Sequence, residues 1–373
     1  MNVAFIGDIY LDDGLIKCDK DLLAGVRDEI NAADFVVANL EAPVTNSNKK
    51  LNKIGPNLKM CELPRHLLDS IDVFSLANNH IMDYEYDGLR ETLSYLHNND
   101  KLYFGAGVNI NDAYREVVVT KGDVSVALIG MAENEFSLTF GDEPGVAPLD
   151  PLFSYKYIKN AVNRYEHVVL FIHGGNEFSS LPSPKYRQLC KMFIDMGASA
   201  VISSHTHIVG PIELYNGRPI FYSLGNCIFN NDKPPQGWNI GLIALLSITE
   251  NKISYSYHFF GQNRRNDGVM ILCDDELQKI KEHHKLLCQD ISDIHKYTSM
   301  WSDYIDKHSE QYFFRAFFPF IFRGAYRIVR VLKMSYFVFN KKSELFKQNY
   351  ISCESHREIL TEAIKRKIND DVS

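Results

Sequence analysis

The sequence predicts an α/β fold with much parallel strand pairing. Short apolar runs of strand length recur through the first two thirds of the chain, and amphipathic helix-like stretches separate most of them. Composition agrees: 373 residues, 45% hydrophobic and 23% charged, suffice for one large core plus an appendage.

In chain order the strand runs are 3–6, 35–38, 73–76, 124–129, 168–172, 200–202 and 219–222. Stretches 20–32, 86–98 and 184–196 have helical periodicity between them. From about Asp267 longer, charged, helix-like segments follow without strand runs. This predicts a domain over residues 1–265 and a mostly helical extension over 266–373. There is no internal repeat and no low-complexity linker.

A net charge of −7 and a pI near 6.0 argue against a nucleic-acid binder. Seven scattered cysteines, none in a C-x-x-C pair, predict reduced thiols and a cytoplasmic setting. The N-terminal "MNVAFIGD" enters a strand-like run at once, with no signal-peptide pattern. No uncharged apolar stretch approaches the roughly 20 residues of a spanning helix.

The residues at the strand ends carry the chemistry. Asp8 ends the first run; Asn39 and Glu41 follow the second; Asn78, Asn79 and His80 follow the third. His173 ends the run at 168–172, and His205 and His207 follow the run at 200–202. In open α/β sheets the carboxyl ends of strands converge on the ligand crevice. Singly, each residue has an ordinary reading as a turn, cap or loop residue; jointly, at successive strand ends, they favour a site. Carboxylate, amide and imidazole suit one or two divalent ions of intermediate hardness, Mn, Fe or Zn. Such ions activate water for attack on phosphorus, and an imidazole outside the metal shell protonates the leaving oxygen. There is no G-x-x-x-x-G-K-[ST] loop, which argues against ATP-driven ligation by this chain alone.

The motifs "GD" (7–8), "NLE" (39–41), "NNH" (78–80), "DYEYDGL" (83–89), "GAG" (105–107), "HGGNEF" (173–178), "SHTH" (204–207) and "YSLGNCIF" (222–229) occur in this order. Over residues 2–260 the chain thereby resembles the CapA family of capsule and poly-gamma-glutamate synthesis proteins, within the calcineurin-like metallophosphoesterase superfamily. The resemblance implies a sandwich of two mixed β-sheets flanked by helices. It implies Asp8 and His207 at a first metal, Glu41 as the bridging carboxylate, and Asn79, His173 and His205 at a second. His80 would be the outer-shell acid. Glu177, as a further catalytic candidate, and Asn226 would stand at the mouth, with Asn39, Asn78 and Asn226 binding substrate. One departure weakens the first position. The superfamily's first motif is Asp-x-His, and here the third residue is Tyr10, a poor ligand at neutral pH.

Residues 311–343 hold seven Lys or Arg, no Asp or Glu, and many aromatics. In a helix Arg323, Arg327 and Arg330 share one face. That fits an interfacial helix on anionic lipid at the inner membrane face, a helix burying its aromatics against the main domain, or contact with a partner or polyanion. The strand-end donors imply a metal-dependent phosphoesterase-like hydrolase, and the resemblance implies a setting in surface-polymer synthesis, acting on a phosphorylated small molecule or polymer intermediate. The alternative is a non-catalytic accessory subunit of a membrane-associated synthesis complex. Amide-bond chemistry on a polyglutamate-like polymer is a third reading, resting on the family name alone.

Overall fold

The computed structural model describes residues 1–317 except 19, 54 and 263–267, with backbone alone for 309–317. The boundary expected at 265/266 lies outside the described residues, and so does the basic aromatic segment 311–343 beyond the helical backbone of 311–317. By compactness the chain divides into Met1–Trp301 and Ser302–Ser373.

The strands, in order, are β1 (Asn2–Tyr10), β2 (Phe35–Leu40), β3 (Val73–Ser75), β4 (Leu102–Phe104), β5 (Ala106–Gly107), β6 (Val117–Lys121), β7 (Val124–Ala132) and β8 (Gly145–Val146). They continue with β9 (His167–His173), β10 (Ala200–Ser204), β11 (Ile212–Tyr215), β12 (Arg218–Phe221), β13 (Asn226–Phe229), β14 (Ile240–Thr249), β15 (Lys252–Gln262) and β16 (Val269–Met270). One sheet runs β16-β15-β14-β1-β2-β3-β4, and a second runs β11-β12-β10-β9-β7-β6. β1 to β4 are mutually parallel, as are β7, β9, β10 and β12; antiparallel strands extend both sheets. Each sheet is therefore mixed, as expected. The hairpin β14–β15 lies outside the strand runs read from the sequence. Much of β15, "SYSYH" at 254–258, is exposed and polar, which hides its apolar alternation.

Side-chain alternation sorts the strand residues into layers. Val3 and Phe5, Val37, Leu128, Val169, Phe171 and Ile202 meet between the sheets, where the Phe5 and Phe171 rings pack edge to face at 5.9 Å. Ala4, Ile6, Val36 and Ala38 face the other way, onto Leu67, Leu89 and Leu96 of the helices Arg65–Ser70 and Glu85–Asn98. Leu170, Ile172 and Val201 pack with Ile158 and Phe193 of the helices Pro151–Arg164 and Pro184–Asp195. The parallel strands are covered on both faces, and their apolar runs are nearly unbroken for that reason. Both latter helices start on a side-chain cap followed by proline: Asp150 accepts from Leu152 N at 2.8 Å, and Ser183 from Tyr186 N at 3.1 Å. Helices Asp274–Ser292 and Ile294–Phe317 come next, as expected of a helical extension. Among the described residues no helix is long and apolar enough to cross a membrane.

A partly buried ion cluster pins helix Pro184–Asp195 to the second sheet. Arg187 grips Glu213 of β11 with two bonds, 2.9 and 2.6 Å; Lys191 adds a contact at 2.8 Å and the Tyr222 hydroxyl another at 2.8 Å. Burial favours the neutral acid, yet bonds from Arg187, Lys191 and Tyr222 override it and hold the Glu213 carboxyl below its ordinary value. Glu213→Gln leaves Arg187 without its carboxylate and is expected to cost about 3–5 kcal/mol in urea unfolding at pH 7. Because the folded-state value is depressed, wild type has this stabilisation above the ordinary Glu value of about 4.3 and loses it as pH falls through the folded value. The gap between wild type and variant should narrow over that acid range; a gap independent of pH would contradict the account.

Candidate metal centre

The carboxyl ends of β1, β2, β3, β9 and β10 deliver their donors to one buried cluster. Local geometry at β1 makes this possible. β14 borders Asn2–Phe5 and β13 takes over the same edge at Asp8, with Gly7 at the changeover. A Cβ on Gly7 would lie 1.9 Å from the Gly225 carbonyl oxygen, so only glycine lets the two backbones approach here. The loop after β10 is held in the left-handed region at both imidazoles, φ 101° at His205 and 60° at His207. Such conformations are costly for residues with a Cβ and concentrate at functional sites.

Asn39 ties the two carboxylates together. Its Nδ2 donates to Asp8 Oδ1 at 2.7 Å and to Glu41 Oε2 at 2.5 Å, while its Oδ1 accepts from Asn78 Nδ2 at 3.1 Å. Asn78 also donates to the Leu40 carbonyl at 2.7 Å and accepts from the backbone of His80 and Ile81, shaping the turn that presents Asn79 and His80. Asn39 and Asn78 are thus buried braces, whereas the expectation set them among substrate-binding groups. Asn226 is likewise fully buried, not at the mouth, and its Oδ1 accepts from His207 Nδ1 at 2.9 Å. The same nitrogen lies 3.5 Å from Asp8 Oδ2. Glu177 is exposed on the loop after β9, close enough for its charge to act on Glu41 and His205.

Three polar side-chain atoms converge on His173 Nε2. Asn79 Oδ1 is 3.0 Å away, His205 Nδ1 3.0 Å and Glu41 Oε1 3.6 Å. The Asn79 amide nitrogen is committed to Glu135 at 2.6 Å, so its oxygen faces the imidazole. Among the described residues Glu41 Oε1 has no hydrogen-bond partner, although it is buried. A buried carboxylate oxygen without a donor is expensive unless a cation meets it. Asp8, Glu41 and His173 place ligand atoms within 4.8 Å of one another, as do Glu133, Glu135 and His205.

Electrostatics acts on the same cluster. Burial alone would raise the Asp8 carboxyl, but His207, His173 and Asn39 bring it down to about 2. Burial and the neighbouring Asp8 charge instead push Glu41 well above the usual carboxylate range. Burial and His205 hold His173 well below the usual imidazole value. Burial works against the charged form of His205, yet Glu133, with Glu135 and Glu177 behind it, takes the imidazole up to about 9. A divalent ion would reverse the shifts of Glu41 and His205 and keep those of Asp8 and His173, since it favours ionised carboxylates and neutral imidazoles. The donors fit such an ion.

His80 sits beside the cluster. Its Nδ1 lies 2.7 Å from Asp83 Oδ2, and Asp83 is paired with the buried Lys53, whose ammonium is 3.1 Å from that nitrogen. Tyr10 packs on the Phe229 ring at a 5.0 Å centroid distance, and burial raises its phenol further from ionisation. Four residues of this neighbourhood were given no role from the sequence: Glu133, Glu135, Lys53 and Asp83. The first two follow β7, which runs three residues beyond the 124–129 read from the sequence. With that strand carried to its true end, the strand-end logic finds them. Lys53 lies on a loop whose path has no local sequence signal.

The sequence profile of the bacterial capsule synthesis protein PGA_cap matches residues 2–231, more than half of the chain. The chain belongs to this family. The PGA biosynthesis protein CapA of Bacillus subtilis (strain 168) is 30% identical over 251 residues, 64% of each chain. The capsule biosynthesis protein CapA of Bacillus anthracis is 29% identical over 251 residues, 64% of this chain and 57% of its own. The aligned part thus spans less than two thirds of the length of either relative. Among solved structures, a hypothetical protein from Thermus thermophilus aligns with 70% of this chain and all of its own, at 18% identity and a TM-score of 0.45. A Mycoplasma pneumoniae phosphatase covers 71% of this chain and 95% of its own, at 11% identity and 0.44. Similarity at that level decides nothing about activity. The PGA_cap match ends at residue 231, within the loop after β13, so it includes every donor named above.

Proposed function

We propose that this PGA_cap family member is a divalent-metal-dependent phosphoric ester hydrolase serving capsule or other surface-polymer synthesis. Its substrate is a phosphorylated small molecule or polymer intermediate. The observation that carries the reading is the convergence of Asn79 Oδ1, His205 Nδ1 and Glu41 Oε1 on His173 Nε2, with Glu41 Oε1 buried and, among the described residues, without a hydrogen-bond partner. Glu41, Asn79, His173 and His205 would hold one ion; Asp8 and His207, with Glu41 between, would hold the weaker one. When bound, Mn, Fe or Zn supplies Lewis acidity toward a phosphoryl oxygen and lowers the pKa of water.

The chain's own residues do the rest. Asn39 keeps both carboxylates from rotating away from the cluster, and burial of the donor set excludes bulk water. Asp83 holds the His80 ring through Nδ1 at 2.7 Å, and Nε2 would carry the proton passed to the leaving oxygen. His80→Ala is expected to lower kcat by about 10²–10⁴ on the best substrate from a panel of phosphomonoesters and phosphodiesters. Metal content should stay at the wild-type level. Undiminished turnover in that variant would remove His80 from the acid role.

One observation favours a second reading, an accessory subunit that binds without turnover. Tyr10 stands where the superfamily has a histidine and is packed against Phe229, so the first ion position lacks a donor. Metal binding without hydrolysis of any substrate would support that reading. Peripheral contact of 311–343 with anionic lipid belongs to either reading. Pelleting with phosphatidylglycerol vesicles that survives deletion of 311–343 would contradict it.

A further inference from the structure

The two glutamates that follow β7 have a defined relation to the donor cluster. Ala132 of β7 is in register with His173 of β9, and Glu133 N donates to the His173 carbonyl at 3.0 Å. Glu133 therefore leaves its strand alongside the central imidazole. Its Oε2 accepts from Gly175 N at 3.1 Å, and its Oε1 lies 2.9 Å from His205 Nε2. Glu135 comes two residues later and accepts from Asn79 Nδ2 at 2.6 Å.

We propose that Glu133 and Glu135 are positioning residues of the metal centre, each fixing the far end of a different ligand. Glu133 orients His205 through Nε2, and Glu135 orients Asn79 through its amide nitrogen. This rests on the metal-centre reading above and adds residues to it that the superfamily resemblance does not supply.

Proton counting fixes both orientations. A carboxylate oxygen only accepts, so the proton between Glu133 and His205 resides on Nε2. In the neutral ring that a metal ligand requires, the one lone pair then sits on Nδ1, 3.0 Å from His173 Nε2. Likewise the amide hydrogens of Asn79 point at Glu135, which turns Oδ1 to the same place, 3.0 Å from His173 Nε2. Both outer carboxylates thus set which atom of a ligand faces inward. Glu133, Glu135 and His205 also gather their own donor atoms within 4.8 Å, the arrangement of a separate ion site. The ring cannot serve it with Nε2 while that nitrogen carries the proton. The carboxylates therefore stand behind the ligands and do not replace them.

Outer carboxylates of this kind typically change metal affinity by about 10–100-fold. The test is calorimetric titration of Mn2+ into the full-length, chelator-stripped wild-type chain and into Glu133→Gln and Glu135→Ala, the latter because a glutamine oxygen would still accept from Asn79 Nδ2. Gln has one acceptor oxygen, so at 133 it cannot satisfy both His205 Nε2 and Gly175 N. Each variant should bind its tightest Mn2+ about 10–100-fold more weakly. Metal-free melting temperature should be unchanged, and the wild-type stoichiometry should return at saturation. Glu135 is exposed, so its variant stays informative should Glu133→Gln fail to fold. Affinity within twofold of wild type in both variants overturns the positioning role and leaves the metal centre standing. A stoichiometry permanently one ion short overturns it too, because the glutamates are then ligands themselves. A wild-type chain that binds no Mn2+ overturns both readings.

Discussion

In His173→Ala, the rise in melting temperature that a divalent ion gives the wild-type chain is expected to vanish. At a free metal concentration of one hundred times Kd, a ligand specific for the folded state adds about 2.7 kcal/mol, a shift of several degrees for a domain of this size. His173 Nε2 is the atom around which Asn79 Oδ1, His205 Nδ1 and Glu41 Oε1 are arranged, at 3.0, 3.0 and 3.6 Å. Without it, three polar side-chain atoms surround a void and the proposed second ion position would lose its central nitrogen. The comparison is made by differential scanning calorimetry with and without Mn2+. A metal-induced shift in His173→Ala equal to that of wild type would place the ion elsewhere.

Gly7→Ala is expected to damage both fold and site. The new methyl would sit 1.9 Å from the Gly225 carbonyl oxygen, where real Cβ contacts stay beyond 3.0 Å. The oxygen is backbone and a Cβ is fixed to its own backbone, so neither can swing away as the end of a long side chain would. Overpacking typically costs about 1–3 kcal/mol, and a backbone clash lies at the top of that range or above it. The strain falls next to Asp8 on one strand and next to Asn226, the partner of His207, on the other. Urea unfolding should show the loss, and metal content of the surviving folded fraction should fall with it. A midpoint equal to that of wild type would mean that β1 and β13 do not approach as described.

The strand ends were the legible part of this protein. Asp8, Glu41, His173 and His205 each lie at or just past the end of an apolar run, and parallel strands must deliver the residues at their carboxyl ends to one edge of the sheet. The helices expected at 86–98 and 184–196 are found at Glu85–Asn98 and Pro184–Asp195, because amphipathic periodicity and, for the second, a Ser-Pro start encode them locally. The stretch 20–32 instead breaks into a 3-10 turn, Ala24–Val26, and a short helix, Arg27–Asn31, where Gly25 packs on the backbone of Met270. Tertiary approach there overrides periodicity.

The roles of the asparagines were less legible than their presence. Asn39, Asn78 and Asn226 have the composition of ligand-facing residues, but their partners come from four separate segments, and only the folded chain shows all three committed to bracing. Lys53 is a stronger case. Nothing in the sequence around it predicts that its ammonium is buried against Asp83 and His80. A charge so placed is paired by tertiary structure alone.

The most direct test of the metal centre is elemental. Plasma mass spectrometry is run on protein purified without added metal or chelator, beside a His205→Ala/His207→Ala variant. The account predicts between one and two equivalents of Mn, Fe or Zn in wild type and their loss in the variant. A wild-type chain that carries no metal, even after incubation with each ion in turn, would contradict it.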